Sequence, residues 1–188
     1  YYGVNVSFQH INLTNIPLYE EFYTKVVNRL NQEGYQAFVT INHNITIDNN
    51  DINFARIDYS VVNQLAHNVI FMNYQWGINM SPPSPIISVK NMEVYLAYLK
   101  EFIPTEKIII GISTIGYDWE LPYSAGISSV NALNYNNAIE LARMEDAVIQ
   151  FDEESQTPYF RYSNNRRGIQ VEHIVWFIDA RSVNSILE

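Results

Sequence analysis

The chain has 188 residues, of which 47% are hydrophobic, and it carries 11 Lys and Arg against 20 Asp and Glu, a formal net charge of −9. The length and apolar content suit one compact domain, and the negative charge argues against nucleic-acid binding and against docking on anionic lipid. Zero cysteines exclude a disulfide scaffold and a thiol nucleophile, and no apolar run approaches the ~18 residues of a membrane-spanning helix.

The first part of the chain predicts alternating strands and helices. Apolar and polar residues alternate at the start, and the next segment has apolar residues at helical spacing, a pattern that then repeats. The predicted elements are a strand at 1–11, a helix at 18–33, a strand at 35–41, an Asn-rich loop at 42–51, a helix at 58–65, strands at 68–74 and 108–114, and a helix at 89–102 between them. The 108–114 run is continuously apolar, as in a strand buried on both faces of a parallel sheet. The order predicts repeated βαβ units and an α/β fold.

The character of the sequence changes after residue 117. We predict a small α+β unit with a helix at 134–144, short strands at 148–151, 158–162 and 171–178, and a hairpin turn at 164–168. A helix then restarts at 179–187. The α+β unit therefore reads as an insertion after the last parallel strand.

The carboxyl ends of parallel strands are where functional residues of βα folds collect. Here those ends carry mostly amides, hydroxyls and aromatic rings, and Asp118 is the only carboxylate among them. The segments are Ser7–Gln9, 41–43, 73–76 and 116–119. Such a rim suits hydrogen bonding to, and stacking on, a polar ring-shaped ligand, but it has no obvious proton donor.

Five segments stand out in chain order, at residues 3–11, 71–77, 110–123, 150–160 and 175–182. Together they resemble glycoside hydrolase family 18, and more closely its branch of spore-peptidoglycan N-acetylglucosaminidases. Gly3-Val4-Asn5-Val6-Ser7-Phe8-Gln9-His10-Ile11 resembles the fourth barrel strand of that family. Residues 71–77 resemble the sixth strand, residues 110–123 the seventh strand and its exit, and residues 150–160 and 175–182 the insertion and the following helix start. The resemblance implies part of a (β/α)8 TIM barrel, strands 4 to 7, with an α+β insertion.

The catalytic positions depart from the family pattern. The family motif is Asp-x-x-Asp-x-Asp-x-Glu, and its four acidic slots fall here on Tyr2, Asn5, Ser7 and Gln9. In the family the Glu protonates the leaving oxygen and the preceding Asp assists the N-acetyl nucleophile of the substrate. Gln9 cannot transfer a proton and Ser7 cannot stabilise a developing positive charge, so the resemblance predicts a degenerate site. Gln75 likewise replaces an acidic residue.

The remaining candidate residues are predicted to bind rather than react. We predict substrate-binding roles for Asn5, Gln9, Tyr74, Trp76, Tyr117 and Asp118. For Tyr74, a hydrogen bond to an acetamido carbonyl and an ordinary rim position are equal alternatives. Trp76 either stacks on a sugar or packs a loop. Asp118 is the one candidate replacement acid, and a structural hydrogen bond is its simpler role.

Metal and cofactor sites are not predicted. The four histidines lack ligand spacing, Asp152-Glu153-Glu154 reads as a solvated turn, and Arg166-Arg167 as a hairpin tip.

The resemblance begins at the fourth strand and stops before the eighth, whereas a whole barrel takes ~250 residues. We expect residues 1–117 and 178–188 to form the partial barrel and 118–177 the insertion. The missing strands come from a longer parent protein or from another chain, or the chain is a degenerate half-barrel.

Three functions remain open. The first is an inactive family 18 homologue, a pseudoenzyme that binds N-acetylglucosamine-containing glycans such as peptidoglycan or chitin. The second is an active glycosidase with a relocated acid, and the third is a structural protein of a cell or spore surface. The resemblance also implies an extracytoplasmic or spore location.

Overall fold

A computed structural model describes residues 1–8, 13–41, 45–48, 51–54, 56–72, 82–166 and 168–188. The chain divides into two compact units. The first comprises Tyr1–Met72 and Glu93–Gly111, and the second Asn73–Met92 and Ile112–Glu188. The predicted boundary between barrel and insertion is a different kind of division, and it stays a prediction.

The first unit is built on a four-stranded sheet with the order β1-β2-β5-β6, in which every neighbouring pair is parallel. Its strands are β1 (Gly3–Ser7), β2 (Gln36–Ile41), β5 (Asn68–Met72) and β6 (Ile108–Gly111). The helices are α1 (Ile16–Gln32), α2 (Ser60–Leu65) and, from Glu93 onward, α3 (Val89–Leu99). The predicted βα alternation is confirmed, because helical and strand periods in the sequence are distinct in these segments.

One face of this sheet is packed against helices. Phe71 on β5 stacks on Tyr95 of α3, with ring centroids 5.1 Å apart, and both side chains are fully buried. Val39 and Val69 lie in register on the same face and are also fully buried. Side chains alternate between faces along a strand, so Asn5, Ser7 and Thr40 lie on the opposite face.

The predicted loop at 42–51 is wrong, because the structure has an antiparallel hairpin there. Its strands are β3 (Ile45–Asp48) and β4 (Asp51–Phe54), and Ile47 lies opposite Ile52 in the register. The alternating isoleucines are the strand signal, and the many asparagines around them obscured it.

The predicted strand at 108–114 is too long, and it is not buried on both faces. β6 ends at Gly111, and Ile109 is 41% exposed. The Oγ atom of Ser113 accepts a hydrogen bond from the backbone N–H of Ile115, at 3.2 Å. Such a local bond competes with strand pairing, and the chain starts a new strand at Ile115.

The second unit is built on a five-stranded antiparallel sheet with the order β8-β7-β11-β10-β9. Its strands are β7 (Ile115–Leu121), β8 (Val130–Asn134), β9 (Gln150–Asp152), β10 (Thr157–Arg166) and β11 (Ile169–Trp176), and its helices are α4 (Tyr135–Met144) and α5 (Ala180–Leu187). The predicted helices and the hairpin between β10 and β11 are confirmed. β7 and β8 were not predicted as sheet strands.

The core of the second unit lies between this sheet and α4. Ala138 and Ala142 of the helix pack on the fully buried rings of Phe160 and Phe177 and on Val175. Asn134 caps the helix, because its side-chain oxygen accepts a hydrogen bond from the Asn137 N–H at 2.9 Å. Across the described parts of the chain, the helices are too short or too polar to cross a membrane.

Candidate functional site

The predicted catalytic strand is β1, and the structure describes its first three motif slots. Tyr2 and Ser7 are exposed, as is Asn5 between them. Gln9, the fourth slot, lies outside the described residues, and so do Tyr74, Gln75 and Trp76. The described part of the predicted site is therefore the β1 face that carries Asn5 and Ser7.

Asn5 is held by a residue that the sequence does not single out. The Nδ2 atom of Asn5 lies 2.8 Å from Thr40 Oγ1, and the Oδ1 atom of Asn5 lies 3.1 Å from the same oxygen. Thr40 lies on β2, where it is in register with Ser7. Since partners across a parallel sheet depend on the register of two distant segments, no local pattern could have identified this pair.

The strands of the parallel sheet carry no carboxylate. Their sequences contain only neutral side chains, namely GVNVS in β1, QAFVTI in β2, NVIFM in β5 and IIIG in β6. Hydrogen bonding is therefore the polar interaction that these strands offer to a ligand. Protonation of a leaving group requires a titratable side chain, which they do not contain.

Asp118 lies in a different setting from the one its sequence position suggested. It was predicted at the carboxyl end of a parallel strand, but it is in the middle of β7, an antiparallel strand of the second unit. The correction follows from the short β6, which ends seven positions earlier, at Gly111. Asp118 is 6% exposed.

Both oxygens of the Asp118 carboxylate have hydrogen-bond partners. Tyr162 donates its hydroxyl to Oδ2 at 2.9 Å, and the Nδ1 atom of His173 lies 2.9 Å from Oδ1. The rings of Tyr162 and His173 stack with centroids 4.5 Å apart and planes 18° apart. Burial raises the pKa of the Tyr162 hydroxyl, and the negative charge of Asp118 raises it further. The three side chains form a buried cluster, which we call the Asp118 cluster.

Three further aromatic side chains of the second unit pack against other protein groups. Trp119 is fully buried, and Trp176 is 9% exposed and stacks on Tyr159 with centroids 4.6 Å apart. Tyr117 is half-buried and contacts the Trp119 ring at a centroid distance of 5.8 Å. The substrate-binding roles of Tyr117 and Asp118 stay predictions.

The described histidines are engaged in hydrogen bonds to the protein. His67 accepts a bond from the backbone N–H of Ala37 at 3.1 Å, and His173 belongs to the Asp118 cluster. His10 and His43 lie outside the described residues. In the part of the chain that the structure describes, no group of three potential metal ligands comes together.

Known proteins give this geometry a context. No established family profile matches the chain. The cortical fragment-lytic enzyme of Bacillus anthracis is 31% identical over 182 residues, which are 97% of this chain and 41% of that protein. The cortical fragment-lytic enzyme of Bacillus subtilis is 28% identical over 184 residues, 97% of this chain and 42% of the relative.

Two solved structures superpose closely on this chain. The spore cortex-lytic enzyme SleL of Bacillus megaterium superposes with a TM-score of 0.84 at 30% identity, covering 98% of this chain and 42% of that one. A chitinase from Chromobacterium violaceum superposes with a TM-score of 0.82 at 24% identity, covering 97% of this chain and 55% of that one. At this identity, the likeness supports the same fold and nothing more. This chain is a homologue of spore cortex-lytic enzymes, and its structural neighbours are family 18 chitinases.

The chain spans about two fifths of the length of the curated relatives it matches. This coverage, with the four parallel strands of the first unit, fits part of the barrel of family 18 chitinases, as the sequence predicted. The homology thus covers both units of this chain, whereas the activity of the whole protein is a separate question.

Proposed function

We propose that this domain binds N-acetylglucosamine-containing glycans without hydrolysing them. The observation that carries the proposal is the neutral motif strand, in which Ser7 and Gln9 stand where the family has its assisting Asp and its acidic Glu. The relatives and fold neighbours support the coarser part, a glycan-acting domain. Binding and inactivity are the finer part, and they rest on the residues.

The chemistry of the two replaced positions supports inactivity. A general acid contributes typically ~10²–10⁴ in rate, and a glutamine amide in its place can donate a hydrogen bond but releases no proton at neutral pH. Electrostatic stabilisation of the developing charge contributes a comparable factor of ~10²–10³, which a serine hydroxyl does not supply. Loss of both contributions leaves hydrolysis close to the background rate.

Binding does not require those charges. An exposed Asn5 amide and Ser7 hydroxyl offer donors and acceptors to sugar hydroxyl and acetamido groups. Among the fold neighbours, a class V chitinase of Nicotiana tobaccum with a glutamate replaced by glutamine was solved in complex with NAG4. That complex supports the idea that a barrel of this fold can hold such a glycan after a Glu-to-Gln change.

The alternative of a relocated acid depends on Asp118. Its carboxylate is buried and accepts a bond at each oxygen, so it faces Tyr162 and His173 rather than solvent. A general acid has to reach the glycosidic oxygen within about 3 Å. The geometry therefore argues against Asp118 as the relocated acid, whereas an acid supplied from outside these residues is the other form of this alternative.

The proposal also includes additional β-strands that pair with the exposed edge of β1. β1 is an edge strand of the sheet, and Val4 within it and Phe8 just after it are 43% and 42% exposed. Uncharged edges of parallel sheets are usually covered, so we propose that strands of a longer parent protein or another chain pair with β1. The 188-residue chain alone should then bind the dye ANS or self-associate in sedimentation runs, and a monomer without dye binding contradicts this part.

The test of the main proposal is a titration of the protein with N-acetylglucosamine tetramer and with peptidoglycan fragments, followed by product analysis after long incubation. Ser7→Asp/Gln9→Glu restores the two family acids and serves as the matched variant. We expect calorimetric binding by both proteins, and cleavage by the restored variant only. Cleavage by the parent refutes inactivity, and an absence of binding by the parent refutes the glycan-binding role.

A further inference from the structure

Thr40 is a buried residue with a hydroxyl group, and it lies on the face of the parallel sheet that also carries Asn5 and Ser7. Its side chain is 4% exposed, and it is the one buried polar side chain among the described residues of that sheet. Buried hydroxyls in folded proteins nearly always have a hydrogen-bond partner, and the partner usually explains why the hydroxyl is there.

The partner of Thr40 is the exposed amide of Asn5. Nδ2 and Oδ1 lie 2.8 and 3.1 Å from Thr40 Oγ1, so the hydroxyl either accepts from the amide N–H or donates to the amide oxygen. Each arrangement fixes the plane of the amide. Threonine suits this task, since its β-branched side chain has few rotamers and keeps the hydroxyl in one place.

The bond contributes more to orientation than to stability. Asn5 is exposed, and water competes for its polar atoms in the folded and the unfolded chain. An exposed asparagine without this bond rotates freely about its side-chain torsions. With the bond, the second N–H of the amide and the second lone pair of its oxygen point in a fixed direction, which lowers the entropic cost of binding a ligand.

From this geometry we propose that Thr40 is a positioning residue, which orients the Asn5 amide toward the acetamido or hydroxyl groups of the bound glycan. The inference rests on the proposed glycan-binding function and names a residue outside the family motif. Thr40 itself does not touch the ligand, and its effect passes through Asn5 alone.

The test is a mutant cycle measured by calorimetry with N-acetylglucosamine tetramer. Thr40→Val removes the hydroxyl at nearly constant shape, and we expect the affinity to fall about 3- to 10-fold, the equivalent of one ordinary hydrogen bond. Thr40→Ser keeps the hydroxyl and should stay within about twofold of the parent. In an Asn5→Ala background, Thr40→Val should have no further effect.

A matched control is available in the same unit. Thr24 also donates a hydroxyl hydrogen bond, to the carbonyl oxygen of Glu20 in α1 at 2.7 Å, and Thr24→Val should leave the affinity unchanged. If Thr40→Val weakens binding equally in the presence and absence of Asn5, or does not weaken it at all, the positioning role is wrong while glycan binding stands. If the parent does not bind, the proposed function fails first.

A second readout needs no ligand. In the free protein, the side-chain amide resonances of Asn5 should shift, and their exchange with water should accelerate, when Thr40 becomes valine. Unchanged Asn5 resonances in Thr40→Val contradict the proposal whatever the binding data show. A merely structural role of Thr40 changes the melting temperature without moving these signals selectively.

Discussion

The Asp118 cluster allows a sharp prediction, because it decides between a structural and a catalytic role for the one candidate acid. Asp118→Ala leaves the Tyr162 hydroxyl and the His173 Nδ1 atom without their buried acceptor. An unsatisfied buried donor costs about 1–3 kcal/mol, and Asp118→Ala leaves two such donors. We therefore expect Asp118→Ala to lower the free energy of unfolding by about 3–5 kcal/mol.

This magnitude is a large fraction of the ~5–15 kcal/mol that stabilises a typical protein. With a urea dependence of about 2 kcal/mol per molar, the midpoint of urea unfolding should fall by about 2 M. Glu172→Ala is the matched control, since Glu172 is an exposed carboxylate on β11, and it should shift the free energy by less than about 0.5 kcal/mol. Equal effects of the two substitutions refute the structural role.

The cycle with Tyr162 tests the cluster as a unit. Tyr162→Phe removes one donor and should cost about 1 kcal/mol, but little once Asp118 is alanine, so the two effects should not add. Asp118→Asn keeps the shape and one acceptor and should cost less than Asp118→Ala. If the parent protein hydrolyses glycan, and Asp118→Asn abolishes hydrolysis at unchanged stability, then Asp118 is the relocated acid.

Three further predictions concern packing, pH and capping. Gly116→Ala should lower the melting temperature by several degrees, since a Cβ there would lie 2.6 Å from the backbone oxygen of Trp176; an unchanged value contradicts the packing. Burial raises the pKa of Tyr19 and Tyr59 to about 12 against 10.0 in the unfolded chain, so stability should be full below about pH 10 and fall above it. Exposed tyrosines ionise first, so the 295 nm titration is compared with that of Tyr19→Phe and Tyr59→Phe; ionisation of Tyr19 or Tyr59 together with the exposed tyrosines, before unfolding, contradicts this. Asp179→Ala removes the cap of α5 and should cost about 1 kcal/mol in urea unfolding, where no change refutes the cap.

The sequence predicted helices and strands best where the hydrophobic periodicity and the residue composition indicated the same element. The helix α1 and the strands β2 and β5 were predicted, because helical spacing and strand alternation do not resemble each other over such lengths. The boundary between β6 and β7 was missed, because residues 108–117 are almost continuously apolar and only the Ser113 side chain interrupts the pairing. Apolar content alone does not say where one strand ends and another begins.

Of the candidate site, the sequence predicted the residues that belong to a motif but not their hydrogen-bond partners. Asn5 and Ser7 followed from their spacing in the resemblance, and the structure describes both on one strand. The partners were not predicted: Thr40 meets Asn5, and Tyr162 and His173 meet Asp118, across 35, 44 and 55 positions of the chain. Contacts of this kind depend on strand register, which single-sequence patterns specify weakly.

The two groups of polar residues differ in how much the fold depends on them. Asp118 is buried with two donors, so its loss destabilises the unit whatever its function. Ser7 is exposed at the end of β1, and an exposed carboxylate there would change the stability by less than about 0.5 kcal/mol. At Ser7 the fold can thus lose or regain a motif acid without losing its structure. For that reason Ser7→Asp tests chemistry rather than folding, and failure of a well-folded Ser7→Asp/Gln9→Glu variant to cleave would mean that the barrel lacks more than its two acids.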